Sequence, residues 1–224
     1  MTELPRRALN RIAREKKILD AALTVFAGAG FSGASMEAVA QEAGISKPTL
    51  YQYFPNKQDL FGAMMMAKRD TMLLAIEEAV PAQMVPQLYR FATSYAQTVM
   101  RPDLLSLARL IIGEAQRFPQ IGRAYQAAGP DQLLDGMSRY LLAQRAAGRL
   151  QFDHAEMAAE DLWGLVLSAP RNRALYDPEA QISAGDLHRF VANGLQVFLR
   201  AYSCAPVADL AELQALAAAD TVNM

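Results

Sequence analysis

Residues 35–60 read SMEAVAQEAGISKPTLYQYFPNKQDL, and this stretch decides the fold. Ser35 has the side chain of a helix N-cap, and Glu37 in the turn after it suits the positive end of a helix dipole. Met36, Val39, Ala40 and Ala43 then share one face of a short helix. Gly44 supplies the left-handed backbone that other residues avoid, so the chain turns there. Ser46 caps the next short helix, and Pro48 sits in its first turn, where a missing N–H costs nothing. Leu50 and Phe54, four apart, pin this helix to its neighbours. Pro55 stops it, and Asn56 caps a fourth, longer helix with Asp59 at the capping-box position.

Upstream, Ile18, Ala22, Val25 and Phe26 stripe a first helix from about Arg11 to Ala29, which Gly30 ends. A packed helix followed by helix, glycine turn and short helix is a helix-turn-helix. The outward face of the third helix carries Lys47, Pro48, Thr49, Tyr51, Gln52 and Tyr53. Lysine donates to guanine O6 and N7, and a proline or aromatic ring fits a thymine methyl. Threonine and tyrosine hydroxyls donate to phosphate oxygens. Tyr51 and Tyr53 could also be read as ordinary surface aromatics. Two tyrosines and a lysine on so short a helix are unusual for an inert surface, so the DNA reading is favoured.

The block ILDAALTVFAGAGFSGASMEAVAQEAGISKPTLYQYFPNKQDLF, residues 18–61, resembles the TetR family of repressors. The resemblance lies in Ala21-Ala22, Phe26, Gly30-Phe31, Ala43-Gly44-Ile45-Ser46 and Leu50-Tyr51-x-Tyr53-Phe54-x-Asn56-Lys57-x-x-Leu60 taken together. It implies an all-α chain, with a DNA-binding domain over 1–60 and a larger helical effector-binding and dimerisation domain over 61–224. It also implies a homodimer on a palindromic double-stranded operator, released by a small-molecule effector, with no cofactor. Lys47, Pro48, Thr49 and Tyr51 are then placed near bases or backbone, and Ser35, Tyr53 and Lys57 near phosphates. With Ser46 and Gln52 these make up the expected DNA-binding set. Glu37 departs from the pattern, since some members place a basic residue near there; it either faces away or reads a cytosine amino group. Downstream, LARLIIGEAQRFPQIGRAY (107–125) and the Gly129-Pro130 break are similar to the AefR-like subgroup of C-terminal domains.

Charge is divided along the chain. Residues 1–17 hold six bases against two acids, and all five lysines fall at or before Lys68, although the net charge is only −1. A basic end suits a polyanion, while a solvated arm is the plainer reading. Hydrophobic residues at 52% suffice for a large core. No signal peptide is expected in Met1–Arg7, and apolar runs such as 162–169 are short of the ~20 residues a membrane span needs. Cys204 is the one cysteine, so no internal disulfide forms, and a cytoplasmic protein without membrane contact is expected.

Beyond the fourth helix (about Lys57 to Ala79), helices are expected near 83–100, 103–117, 119–128, 130–147, 153–169 and 186–202, with a short helix or frayed tail from Ala205. Asp153 and Glu156 suit the start of helix 153–169, which is apolar almost all round and so expected to be buried on every side. Leu162 and Val166 with Leu187, Phe190, Val191, Gly194, Leu195 and Phe198 are the expected dimer-interface residues; the alternative is a core within one chain. Effector-pocket candidates are Phe91, Tyr95, Met100, Leu104, Arg109, Phe118, Tyr125, Met137 and Trp163, though plain core packing is the default for each. Arg109 interrupts an apolar run, and would pair with Glu114, meet a helix terminus or anchor an anion.

An enzyme is disfavoured. Gly28-x-Gly30-x-x-Gly33 matches a dinucleotide fingerprint by letter but follows a helix instead of a strand. His154 and His188 stand apart, and no metal-ligand spacing is present. A helical adaptor that uses its helix-turn-helix for protein contacts is the other alternative.

Overall fold

The computed structural model describes residues 6–77 and 83–223. The expected helix end at Ala79, the Pro81 break and the Met1–Pro5 arm lie outside them. Among the described residues every regular element is a helix, apart from an isolated antiparallel bridge between Leu150 and Ser203. The chain groups into two compact units, one formed by residues up to Asp70 with Ser106–Gly129, the other by Thr71–Leu105 with Pro130 onward. This grouping is discontinuous in sequence, where the sequence reading drew a single line after residue 60.

The first unit opens with α1 (Arg6–Gly33), which starts earlier than expected. Gly30 breaks it at φ 74°, ψ 164°, in the left-handed region open to glycine. Then follow α2 (Met36–Glu42), α3 (Lys47–Tyr53) and α4 (Lys57–Glu77), whose residues from Thr71 on group with the second unit. Ser35 Oγ accepts from Ala38 N at 3.1 Å and Ser46 Oγ from Thr49 N at 3.3 Å, so both serines cap as their positions dictate. Asn56 Oδ1 takes Asp59 N at 2.8 Å while Asn56 Nδ2 donates to the Asp59 carboxylate at 2.9 Å, closing the start of α4. Gly44, at φ 62°, lets Ile45 N return to Ala40 O at 3.0 Å.

The core of this unit is aromatic. Phe26, Phe31 and Phe61 stand 5.5–5.6 Å apart in pairs, and Phe118 packs edge-on against Phe31 at 5.5 Å. Phe118 lies between α6 (Pro102–Glu114) and α7 (Pro119–Ala128), and Glu114 at the end of α6 accepts from Ser32 N at 3.2 Å. The turn after α1 is therefore braced by residues more than eighty positions away.

The second unit contains α5 (Met84–Val99), α8 (Pro130–Ala146), α9 (Ala155–Tyr176), α10 (Ala184–Tyr202) and α11 (Pro206–Asn223). Three expectations are corrected here. Helix α9 is preceded by His154, with no side-chain cap, instead of by an Asp153–Glu156 cap. It also runs through Pro170, which is buried, to Tyr176; packing of Leu167 and Ala174 outweighs the lost N–H bond. Finally, the alanine-rich end is an eighteen-residue helix. It is anchored by Asp209, which accepts from Arg149 Nη2 at 3.1 Å and from Ser203 Oγ at 2.6 Å.

Helices α9 and α10 cross closely. A Cβ on Gly194 would lie 2.6 Å from Leu165 O and 2.8 Å from Val166 Cα, so only glycine fits. Leu162, Val166, Val191, Leu195 and Phe198 are buried in this contact, with Leu187 nearly so and Phe190 half-buried. Among the expected dimer-interface residues, all but Phe190 are closed off inside their own protomer and offer little area to a partner.

Candidate nucleic-acid interface

Helix α3 is held by one buried contact, Leu50, with Phe54 closing its end, so its remaining residues face outward. Lys47, Pro48, Tyr51 and Gln52 are exposed, and Thr49 and Tyr53 are half-buried. Thr49 Oγ1 shares a hydrogen bond with Ser46 Oγ at 2.8 Å, so these two hydroxyls shape the N-terminus first and are exposed second. Ser35 is exposed at the start of α2. The expected set therefore lies at the starts of α2 and α3 and along α3, with one exception.

Lys57 is that exception. Its Nζ donates to Phe31 O at 2.5 Å and Ala34 O at 2.9 Å, with Ser32 O at 3.4 Å, and lies 4.6 Å from the Phe31 ring centre. Without DNA the ammonium meets the carbonyls that follow the Gly30 break, a role the sequence reading did not include. The lysine behaves as a cap on the end of α1.

Glu37, for which the sequence leaves two roles open, is paired in the structure. Lys47 Nζ donates to Glu37 Oε1 across the turn from α3 to α2, and lies 5.9 Å from the Tyr51 ring centre. The Lys47 hydrogen bond holds the Glu37 carboxyl below its usual range, and the same bond holds the Lys47 ammonium above its own. Both groups are more than half exposed, at 51% and 56%, so the pair adds little to stability.

The expected pocket residues divide between the two units. Arg109, Phe118 and Tyr125 belong to the first, where Arg109 Nη2 donates to Ser106 Oγ at 3.3 Å. Phe118 takes the default core role, because its ring completes the cluster on Phe31. In the second unit Phe91, Tyr95 and Trp163 come together, with Trp163 4.5 Å from Tyr95 and 5.3 Å from Phe91. The indole Nε1 is buried without a hydrogen-bond partner among the described residues. Met137 is deep in the core of that unit, while Met100 packs on its edge and Leu104 is half-buried.

The sequence reading missed Tyr89, His188 and Asp220, which meet where α5, α10 and α11 converge. Tyr89 Oη hydrogen-bonds His188 Nε2, and Asp220 Oδ2 lies 3.5 Å from that nitrogen. Burial, then the Asp220 charge, pushes the Tyr89 hydroxyl up to about 12. A depression of about 320 Å³ lies beside His188, next to Ser183, Asp186 and Arg189. The one available signal was His188 standing within the buried stripe of α10.

A capped short helix displayed on two supporting helices, with longer helices beyond it, defines a helix-turn-helix regulator. Residues 18–64 match the family model for bacterial regulatory proteins of the tetR family, and residues 86–204 match the AefR-like transcriptional repressor C-terminal domain. The chain belongs to the TetR family of transcriptional regulators, and it is a DNA-binding protein. It is similar to the transcriptional regulator RutR of Escherichia coli K12, 24% identical over 177 residues, 77% of this chain and 79% of that one. It is 35% identical to the transcriptional activator FasR of Mycolicibacterium smegmatis over 74 residues, 32% of this chain and only 34% of that one. A TetR-family regulator from Mesorhizobium loti has a similar crystal structure, with TM-score 0.77 and 30% identity, covering 89% of this chain and all of the other. No helix among the described residues is long and apolar enough to cross a membrane.

Proposed function

We propose that this protein is a homodimeric repressor that places α3 in the major groove of a palindromic operator and is released by a small-molecule effector. The observation that carries the reading is the outward face of α3, where Lys47, Pro48, Tyr51 and Gln52 stand clear of the fold while Leu50 alone fixes the helix. A seven-residue helix whose exposed side carries donors, an acceptor and apolar edges fits a groove about 12 Å wide. The dimer surface is assigned to the faces of α9 and α10 left open in the protomer, where Leu165 and Val197 are each 38% exposed. Gly164, Ser168 and Ala169 on α9 are also exposed, and such small residues let two helices approach closely.

The effector is assigned to the Phe91, Tyr95 and Trp163 cluster, as a largely apolar molecule with an acceptor for the unpartnered indole N–H. It releases DNA only if it binds the two dimer conformations unequally. Trp163 is the only tryptophan, so its emission reports occupation directly.

The test is duplex binding by the full chain at several salt concentrations. A selected operator should outcompete random duplex, and its affinity should fall steeply with salt through counterion release. Equal affinity for every duplex overturns the operator reading and leaves non-specific DNA binding, and binding indifferent to salt favours a protein-binding adaptor.

A further inference from the structure

We propose that Glu37 and Lys47 read one G·C base pair together, Lys47 contacting guanine and Glu37 the cytosine opposite. The inference rests on the proposed docking of α3 in the major groove and goes beyond it by giving Glu37, an acid facing a polyanion, a reading role.

The two side chains come from different helices. Glu37 rises from the first turn of α2 and Lys47 from the first position of α3, and they join by a hydrogen bond across the turn. Tyr51, one turn further along α3, has its ring 5.9 Å from the Lys47 ammonium, which limits the positions the long side chain takes. The pair is exposed on the side of the unit where α3 presents its polar residues.

Each partner alone would be a poor reader. A free Lys47 is attracted to any phosphate and so raises affinity for all sequences. A free Glu37 is repelled by those phosphates. Joined, they are nearly neutral overall, and what remains is a pattern: ammonium donors beside a carboxylate acceptor. One of the three ammonium protons serves Glu37, leaving two for a base edge, and the carboxylate has lone pairs beyond those given to Lys47.

That pattern matches one base-pair edge. Across the major groove a G·C pair presents the acceptors N7 and O6 and then the donor N4–H. Donors from Lys47 meet the two acceptors, and the neighbouring carboxylate meets the donor. An A·T pair presents an acceptor, a donor and an acceptor, so it sets the N6 amino group against the ammonium and O4 against the carboxylate. The reversed C·G pair places the carboxylate beside acceptors. The ion pair also keeps either charge from being desolvated alone at the interface.

The experiment is selection of binding sites from random duplexes by the full-length protein, carried out with wild type, Glu37→Ala, Glu37→Gln, Lys47→Ala and the double alanine variant. Circular dichroism checks that the exposed substitutions leave helicity unchanged. Wild type should enrich G·C in one orientation at one position of the half-site, by about 5- to 150-fold over the other pairs. Glu37→Ala and Lys47→Ala should each remove that preference at the same base pair and leave other positions as they were, with the double variant no worse there than either single one. Glu37→Gln, whose amide oxygen still accepts from the cytosine amino group but which has lost the charge that holds Lys47, should keep a reduced preference at that same pair. The proposal is overturned if Glu37→Ala keeps the preference, changes a different base pair, or only tightens binding to every duplex alike. An unchanged pattern in Lys47→Ala overturns the proposal too, whereas failure of α3 docking is distinct and shows as no site enriched by wild type.

Discussion

Lys57 shows how much a single side chain can decide. Its ammonium meets carbonyls of Phe31, Ser32 and Ala34, groups left without helical partners by the break at Gly30. Hydrogen bonds to a charged group are stronger than neutral ones, so Lys57→Met should cost about 1–3 kcal/mol in urea or thermal unfolding of the full chain. An unchanged midpoint would return Lys57 to the pool of free phosphate contacts. Tyrosine titration gives a second residue-scale test. Burial, the largest cause for both, raises Tyr89 and Tyr140 to about 12 from an ordinary 10.0. A folded-state value above the unfolded one stabilises the fold fully below pH 10.0 and is lost as pH climbs towards about 12. Tyrosinate absorbance should therefore lag in the folded protein, and helicity should fall across that window; replacing both with phenylalanine should move the loss to higher pH. The caps at Ser35, Ser46 and Asn56 and the turn at Gly44 were legible in the sequence because each acts within a few residues of itself. Lys57 was not, since its partners lie 23 to 26 positions upstream and a lysine at a helix start has no local signature for such a role.

At the scale of the element, the crossing of α9 and α10 carries the second unit. The backbone of α9 at Leu165 and Val166 occupies the space of a Gly194 side chain. Gly194→Ala must push the helices apart, at a cost of about 1–3 kcal/mol or more, as in other overpacked cores. Circular dichroism melts would show it, and an unchanged melting temperature would mean that the crossing yields freely. The anchoring of α11 is separable from this. Asp209 is nearly buried, and Asp209→Ala would leave Arg149 without its carboxylate and free the Ser203 hydroxyl. Because Arg149 is 37% exposed, the expected loss is about 3 kcal/mol, the low end for a broken buried pair. Existence and period of these helices were readable from apolar spacing, but their ends were less so. Pro170 marks a stop in a sequence and yet lies inside α9, because tertiary packing decides whether one lost hydrogen bond ends a helix. The packing partner of Phe118 was unreadable for a related reason: Phe31 is distant in sequence, and aromatic rings look alike whether they face a ligand or a core.

The whole molecule depends on what covers α9 and α10. The apolar composition of α9 led to an expectation of burial on every side, yet Met157 is 61% and Leu165 38% exposed in the protomer. The missing cover fits a second copy of the chain, since two-fold pairing brings the same face from each side and buries Leu165 and Val197 together. Reading by two helices also multiplies specificity, provided the half-site centres lie about 34–36 Å apart or at multiples of that. Leu165→Asp and Val197→Asp should therefore each yield a monomer by sedimentation at micromolar concentration. Helicity should persist, because both positions are open in the single chain and a carboxylate there stays hydrated. Operator affinity should fall far more than affinity for random duplex, since each monomer keeps its own α3 and loses only the second half-site. A protein that remains dimeric with an aspartate at either position places its two-fold surface elsewhere. A monomer that still binds the full operator as tightly as wild type shows that paired reading is not how this regulator finds its site.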